Sequence, residues 1–270
     1  TLYANGGQYG PGGDALATST GTGGTAYVSS NATGGGAGPG ARPGTALARS
    51  KAIGAAGEAR SNAVAAGEGR LVTSVSTSSY APVASTSETE AYAAIARRIR
   101  SPGLATGNEA VAYATAQPLA VDIAAALHGN VEAYRNFALP TIDKLLLATL
   151  GSGYAHDGSG ASQTFVSSAS VAIDLNRLAH PDTLKAALLD PWASGNGFES
   201  LTFSIVKEST ITLVDETFTL LDDALAYFDD HVLALGDLAH GVEGEVVNLE
   251  FNWSLTTATP GDSCYVGMIV

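Results

Sequence analysis

Apolar and polar positions alternate most clearly between residues 198 and 255. Leu201, Phe203 and Ile205 alternate with Thr202, Ser204 and Val206, which predicts a strand with one buried face. Val247, Leu249, Phe251, Trp253 and Leu255 alternate with Asn248, Glu250, Asn252 and Ser254, a longer strand of the same kind. Between them Leu221, Ala224, Leu225, Phe228, Val232 and Leu235 recur at helical spacing, with aspartates on the other face, and predict an acidic amphipathic helix. Upstream, QTFVSSASVAIDL reads as a long strand with Phe165, Ala169, Val171, Ile173 and Leu175 on one face, and the chain closes on an apolar strand, SCYVGMIV.

Residues 14–117 repeat loosely. Small-residue segments (ALATST, TAYVSSNAT, TALARSKAI, EARSNAVAA, RLVTSVSTSS, ETEAYAAIARRI, NEAVAYATA) are separated by glycine turns at irregular intervals of about 11 to 20 residues. One face of each carries small side chains: Ala26, Val28, Ser30 and Ala32; Ala46, Ala48, Ser50 and Ala52; Ala59, Ser61, Ala63 and Ala65; Ala110, Ala112, Ala114 and Ala116. Alanine disfavours strands, so its return at every second position predicts a smooth face against which a second layer packs closely. The competing reading is an alanine-rich helix. Glycine punctuation and the Ser/Thr content argue against it.

Past Pro118 the spacing turns helical. LAVDIAAALHG and NVEAYRNFA read as two short helices broken at Gly129 and Asn130, and Thr141 caps a third, TIDKLLLATL, that ends at Gly151. Residues 151–162 read as a loop, and PDTLKAALLD as a short helix with Pro181 in its first turn. The fold class expected is mainly β. Residues 1–13 form an extended glycine-rich segment and 14–117 a layered small-residue strand–turn region. Residues 118–150 form a helical connector, and 151–270 a sandwich-like region with one amphipathic helix.

Charge sharpens this picture. Only 14% of residues are charged, and the net charge is −13. Residues 1–120 hold eight basic and six acidic side chains, residues 121–270 five basic and twenty acidic. Such a chain has no basic stripe for nucleic acid or anionic lipid, and no apolar run long enough for a membrane span. The lone Cys264 excludes an intrachain disulfide. A start at Thr1 with a single methionine, Met268, reads as a removed leader and so as export to the cell surface or beyond.

Candidate chemistry is sparse. Asp222, Asp223, Asp229, Asp230 and His231 suggest a cation, but on a helix they read as a solvated face. His156 and Asp157 sit in a glycine-rich loop without a G-x-S-x-G turn, and the five histidines show no zinc spacing. Trp192 and Trp253 suit stacking on a sugar, although Trp253 falls on the apolar face of its strand. Asn31 and Asn252 lie in glycosylation sequons. These readings assign no catalytic residue, no metal and no cofactor.

GFESLTFSIVKE, the helix ALAYFDDHVLALGDL and VVNLEFNWSLTTATPGDSCYVGMIV together resemble the C-terminal part of secreted bacterial PEP-CTERM (exosortase-sorted) proteins, which often pair such a region with Ala/Thr/Gly-rich repeats. The Pro-Glu-Pro sorting signal itself is absent, which the resemblance accommodates if it is removed after Val270. The resemblance implies an exported surface or matrix protein and carries over no site residue. The leading expectation is a non-enzymatic structural subunit that assembles with copies of itself through sheet edges into a filament or biofilm matrix. Leu2, Tyr3 and Tyr9 of the nearly uncharged N-terminal segment, with Cys264, Tyr265 and Val266 of the last strand, are the candidate contacts. The segment either adds to a neighbouring subunit or wraps its own domain. A surface carbohydrate-binding or adhesive module, with polysaccharide as partner, is the alternative; coplanar exposed aromatics on a concave face would favour it.

Overall fold

The computed structural model describes residues 2–5, 12–37, 41–67, 69–83, 85–98, 108–137, 146–156, 162–178, 183–195, 197–240, 244–257 and 259–270. In chain order the strands are β1 (Leu2–Asn5), β2 (Ala15–Thr22), β3 (Thr25–Gly34), β4 (Ala46–Gly54), β5 (Ala56–Ala66), β6 (Val72–Pro82), β7 (Ser85–Ile95) and β8 (Asn108–Ala116). They continue as β9 (Ala148–Ala155), β10 (Gln163–Asp174), β11 (Leu184–Ser194), β12 (Ser200–Lys207), β13 (Ile211–Phe218), β14 (His231–Gly236), β15 (Val246–Thr257) and β16 (Ser263–Ile269). Three short helices, α1 (Ala120–Ala126), α2 (Val131–Phe137) and α3 (Leu221–Phe228), complete a mainly β chain. Among the described residues no helix is long and apolar enough to cross a membrane.

The strands form two eight-stranded sheets packed face to face. The front sheet runs β1-β3-β5-β6-β10-β15-β12-β13 and the back sheet β14-β11-β16-β9-β8-β7-β4-β2. Each draws strands from both 14–117 and 151–270. Consecutive strands β2 to β5 alternate between the sheets, so β2 pairs in parallel with β4 and β3 with β5. Both pairings carry the same offset of 31 residues: Ala17 lies beside Ala48, Ser19 beside Ser50, Ser30 beside Ser61, Asn31 beside Asn62 and Ala32 beside Ala63. The loose repeat expected at irregular spacing is thus one coil wound twice, each turn stacking like on like. On its outer surface the Asn62 amide donates to the Asn31 side-chain oxygen at 2.9 Å.

The small faces are buried as expected; Ala46, Ala48, Ala52, Ala59, Ala63 and Ala65 have no exposed surface. Close approach follows from the serines among them. Ser30 Oγ donates to the Arg49 carbonyl across the sandwich at 2.6 Å, and Ser50 Oγ returns to the Arg60 carbonyl at 2.5 Å. Ser61 and Ser79 reach the Thr89 and Glu90 carbonyls, each at 2.9 Å. A side chain this short spans the gap only where the sheets lie nearer than the usual separation of about 10 Å. At the other end the gap is filled by large groups: Leu201, Phe203 and Ile205 of β12, beside Val247, Leu249, Phe251, Trp253 and Leu255 of the adjacent β15, all fully buried or nearly so. One continuous core joins the two ends.

Several expected helices are strands. TIDKLLLATL divides, with part outside the described residues and Ala148–Ala155 forming β9, which also replaces the first part of the expected loop at 151–162. PDTLKAALLD gives β11. Both strands have two covered faces: β9 is buried throughout, and the outer residues Ala187 and Leu189 of β11 pack under Leu127 of the α1–α2 turn and Ala133 of α2. Strands buried on both sides lose their alternation and read like helices. The acidic helix stops at Phe228 rather than running to Leu235. Asp230, at φ +45°, turns the chain into β14, and its carboxylate accepts from the Glu132 and Ala133 backbone amides at 2.8 and 2.9 Å. It therefore caps α2 instead of joining a solvated face.

Candidate functional site

The outer face of the back sheet is only partly covered by α1 and α2. Beside them run two cross-strand rows, buried except at the half-buried Tyr265 and the exposed Trp192. One runs Tyr113, Gly151, Gly267, Leu189 and the next Val111, Gly153, Tyr265, Trp192, across β8, β9, β16 and β11. Glycine makes room for the aromatics. A Cβ on Gly151 would stand 2.3 Å from the Tyr113 hydroxyl, and one on Gly267 would lie 3.5 Å from both tyrosine hydroxyls. The Tyr113 and Tyr265 rings are stacked with centroids 6.3 Å apart and planes parallel to within 6°, their hydroxyls hydrogen-bonded to each other. Trp192, the cross-strand partner of Tyr265, is 48% exposed.

The two tyrosines line a cavity of about 370 Å³, and Trp192 lies outside its lining. Two carboxylate residues share its lining. Asp122, in the first turn of α1, is buried and pairs with Arg98 Nε at 2.6 Å. Asp190 is exposed and sits at the irregularity where β11 slips register against β16, in the left-handed region at φ +44°. Burial, and then the neighbouring Tyr265, hold the Tyr113 phenol well above its ordinary pKa. Aromatic rings and carboxylates in the lining of one cavity suit a ligand with an apolar face and a hydroxylated edge.

The other expected site residues are dispersed. Leu2 and Tyr3 belong to β1, which pairs in parallel with β3 of its own chain; Tyr9 lies outside the described residues. Cys264 and Val266 point into the core, 4% and 2% exposed, on a strand paired along both edges. They are packing residues, and only Tyr265 of that trio faces outward. Trp253 is core, 1% exposed. His156 is buried against Phe165, and Asp157 lies outside the described residues. Asp222 and Asp223 are exposed on α3, away from Asp230 at α2. Tyr113, Asp122, Asp190 and the glycines are not singled out by sequence reasoning. Their one local sign is the spacing Gly151-x-Gly153 and Tyr265-x-Gly267, glycines where outward side chains belong.

No family model matches the chain, and no curated protein does. Among solved structures it is similar to a carbohydrate-binding module of the β-sandwich superfamily, at 12% identity over 71% of each chain with a TM-score of 0.22. A likeness so loose carries no argument about the ligand.

Proposed function

We propose that this protein is an exported, non-catalytic β-sandwich module that binds saccharide on the shelf formed by Tyr113, Tyr265 and Trp192. The parallel tyrosine pair beside Gly151, lining one cavity with two carboxylates, carries the reading. A sugar ring presents C–H groups on its face and hydroxyls around its edge. The aromatic faces meet the first, and Asp122, Asp190 and the tyrosine hydroxyls accept from the second. Titration of the full chain with soluble oligosaccharides tests this. Trp192→Ala and Tyr265→Ala should each weaken binding by about tenfold, ring contacts being worth about 0.5–1.5 kcal/mol. Gly151→Ala, which pushes the Tyr113 ring aside, should do the same without unfolding the chain. Binding unchanged in all three variants, or absent from the native chain across the panel, overturns the reading.

A second reading, self-association, is favoured by β2. It forms the open edge of the doubly wound coil and has no charged side chain, and Leu16 on it is 59% exposed. The opposite edges differ: β13 carries Asp215 and Glu216, and β14 is six residues long. An edge lacking a complement elsewhere on the molecule pairs with itself about a two-fold axis, which closes at a dimer. Sedimentation should show a dimer that Thr18→Lys returns to monomer; a native monomer at high concentration excludes it.

A further inference from the structure

The charges around the shelf are unbalanced. Arg98 answers Asp122 at 2.6 Å, whereas Asp190 has no ion pair or side-chain hydrogen bond among the described residues. It lines the same cavity as both tyrosines. Its place is structurally enforced, since β11 breaks register between Leu189 and Trp192 and Asp190 takes up the slack at φ +44°. A left-handed aspartate beside a proline is a costly way to build a bulge that glycine would make without strain. Among the described residues no lysine or arginine lines the cavity. Aromatic faces and an uncompensated carboxylate attract the same kind of group, a cation, the first through the ring quadrupole and the second directly. The net charge of −13 acts in the same direction at longer range.

We infer that the shelf selects saccharides bearing a free amine, a cationic amino sugar seated with its ring on Tyr265 and Trp192 and its ammonium on the Asp190 carboxylate. This rests on the saccharide reading of the shelf and adds its ligand class. A neutral sugar offers Asp190 only a hydroxyl, which an asparagine amide oxygen also accepts; a hexosamine without its acetyl group adds an ion pair to the carboxylate. Asn is also tolerated in the left-handed region, so Asp190→Asn removes the charge and keeps the bulge.

The test is calorimetric titration of the full chain, at pH 6 and low salt, with two probes of equal length: a fully deacetylated glucosamine hexamer and an N-acetylglucosamine hexamer. The deacetylated probe should bind about tenfold more tightly, a charge-assisted contact being worth more than a neutral one. Asp190→Asn should bring the two to near parity by weakening the deacetylated probe far more than the acetylated one, and added salt should narrow the native difference. Arg98→Ala, which frees the Asp122 charge, should widen it. Equal affinities on the native chain, or a ratio that survives Asp190→Asn, overturns the inference while leaving saccharide binding standing. Failure of both probes to bind takes down the saccharide reading as well.

Discussion

Phe203→Ala should destabilise the sandwich by about 3–5 kcal/mol, the range for deleting a fully buried aromatic ring. Phe203 has no exposed surface. Its ring lies 5.8 Å from Trp253, its cross-strand partner on β15, at an interplanar angle of 28°, and 5.3 Å from Phe228 of α3 at 65°. It therefore joins the front sheet to the helix, and Phe228 carries the connection on to Phe218 and Tyr227. Rigid rings anchored on a strand and a helix do not collapse into the space left behind, so the cavity cost adds to the lost transfer energy. Phe203→Leu, which keeps most of the volume, should cost under about 1.5 kcal/mol. Urea denaturation reads both as shifts in midpoint at constant slope. A shift for the alanine variant no larger than that for leucine would show that α3 does not depend on this ring.

Stability should also fall steeply above about pH 9. Burial pushes the Cys264 thiol from its ordinary value of 9.0 up to about 12, and raises the Tyr154 phenol further still; Tyr113 is raised well above 10.0. Each group is more easily deprotonated in the unfolded chain, so the native state binds more protons across the window. Its advantage is complete below the unfolded value and is lost as pH climbs toward the folded one. At roughly 1.4 kcal/mol per pH unit, Cys264 alone removes about 4 kcal/mol by pH 12, and the two tyrosines add to this above pH 10. The chain has ten tyrosines, so the phenolate absorbance should rise in two stages, the second coincident with loss of the β-sheet circular dichroism. Cys264→Ala should flatten the decline between pH 9 and 10. Ionisation of all the phenols while the β signal persists would contradict this account.

The strands legible from the chain alone are those with one wet face. On β12 and β15 every second side chain meets water, so Leu201, Phe203, Ile205 and the run Val247 to Leu255 announce themselves by period. The alanine and serine faces of the N-terminal coil are legible for the same reason, since burial next to a neighbouring sheet leaves no room for anything larger. Where helices cover the second face, the alternation disappears. The apolar runs LLLATL, which leads into β9, and AALL, inside β11, fit a helix equally well, and for β11 the packing of α2 and the α1–α2 turn decides the matter. The repeat was present in the letters, Ser30-Asn31-Ala32 against Ser61-Asn62-Ala63, but sequential spacing hides it: successive strands go to opposite sheets, and like meets like only one full turn later, 31 residues on.

The shelf lies almost wholly beyond reach of the sequence. Local periodicity places Tyr265 on the outward face of its strand, and composition makes the chain acidic. Neither brings Tyr113 from β8, Asp122 from α1 and Asp190 from a bulge in β11 to one cavity, because those residues are separated by the order of strands in the back sheet. Periodicity is a property of one element and its immediate surroundings, so a single sequence determines fold class, exposed faces and small-residue layers. A site assembled from four elements depends on strand order and register. In this protein those are set by the cross-strand pairing of β8, β9, β16 and β11, and Gly151 leaves the room that the Tyr113 ring occupies.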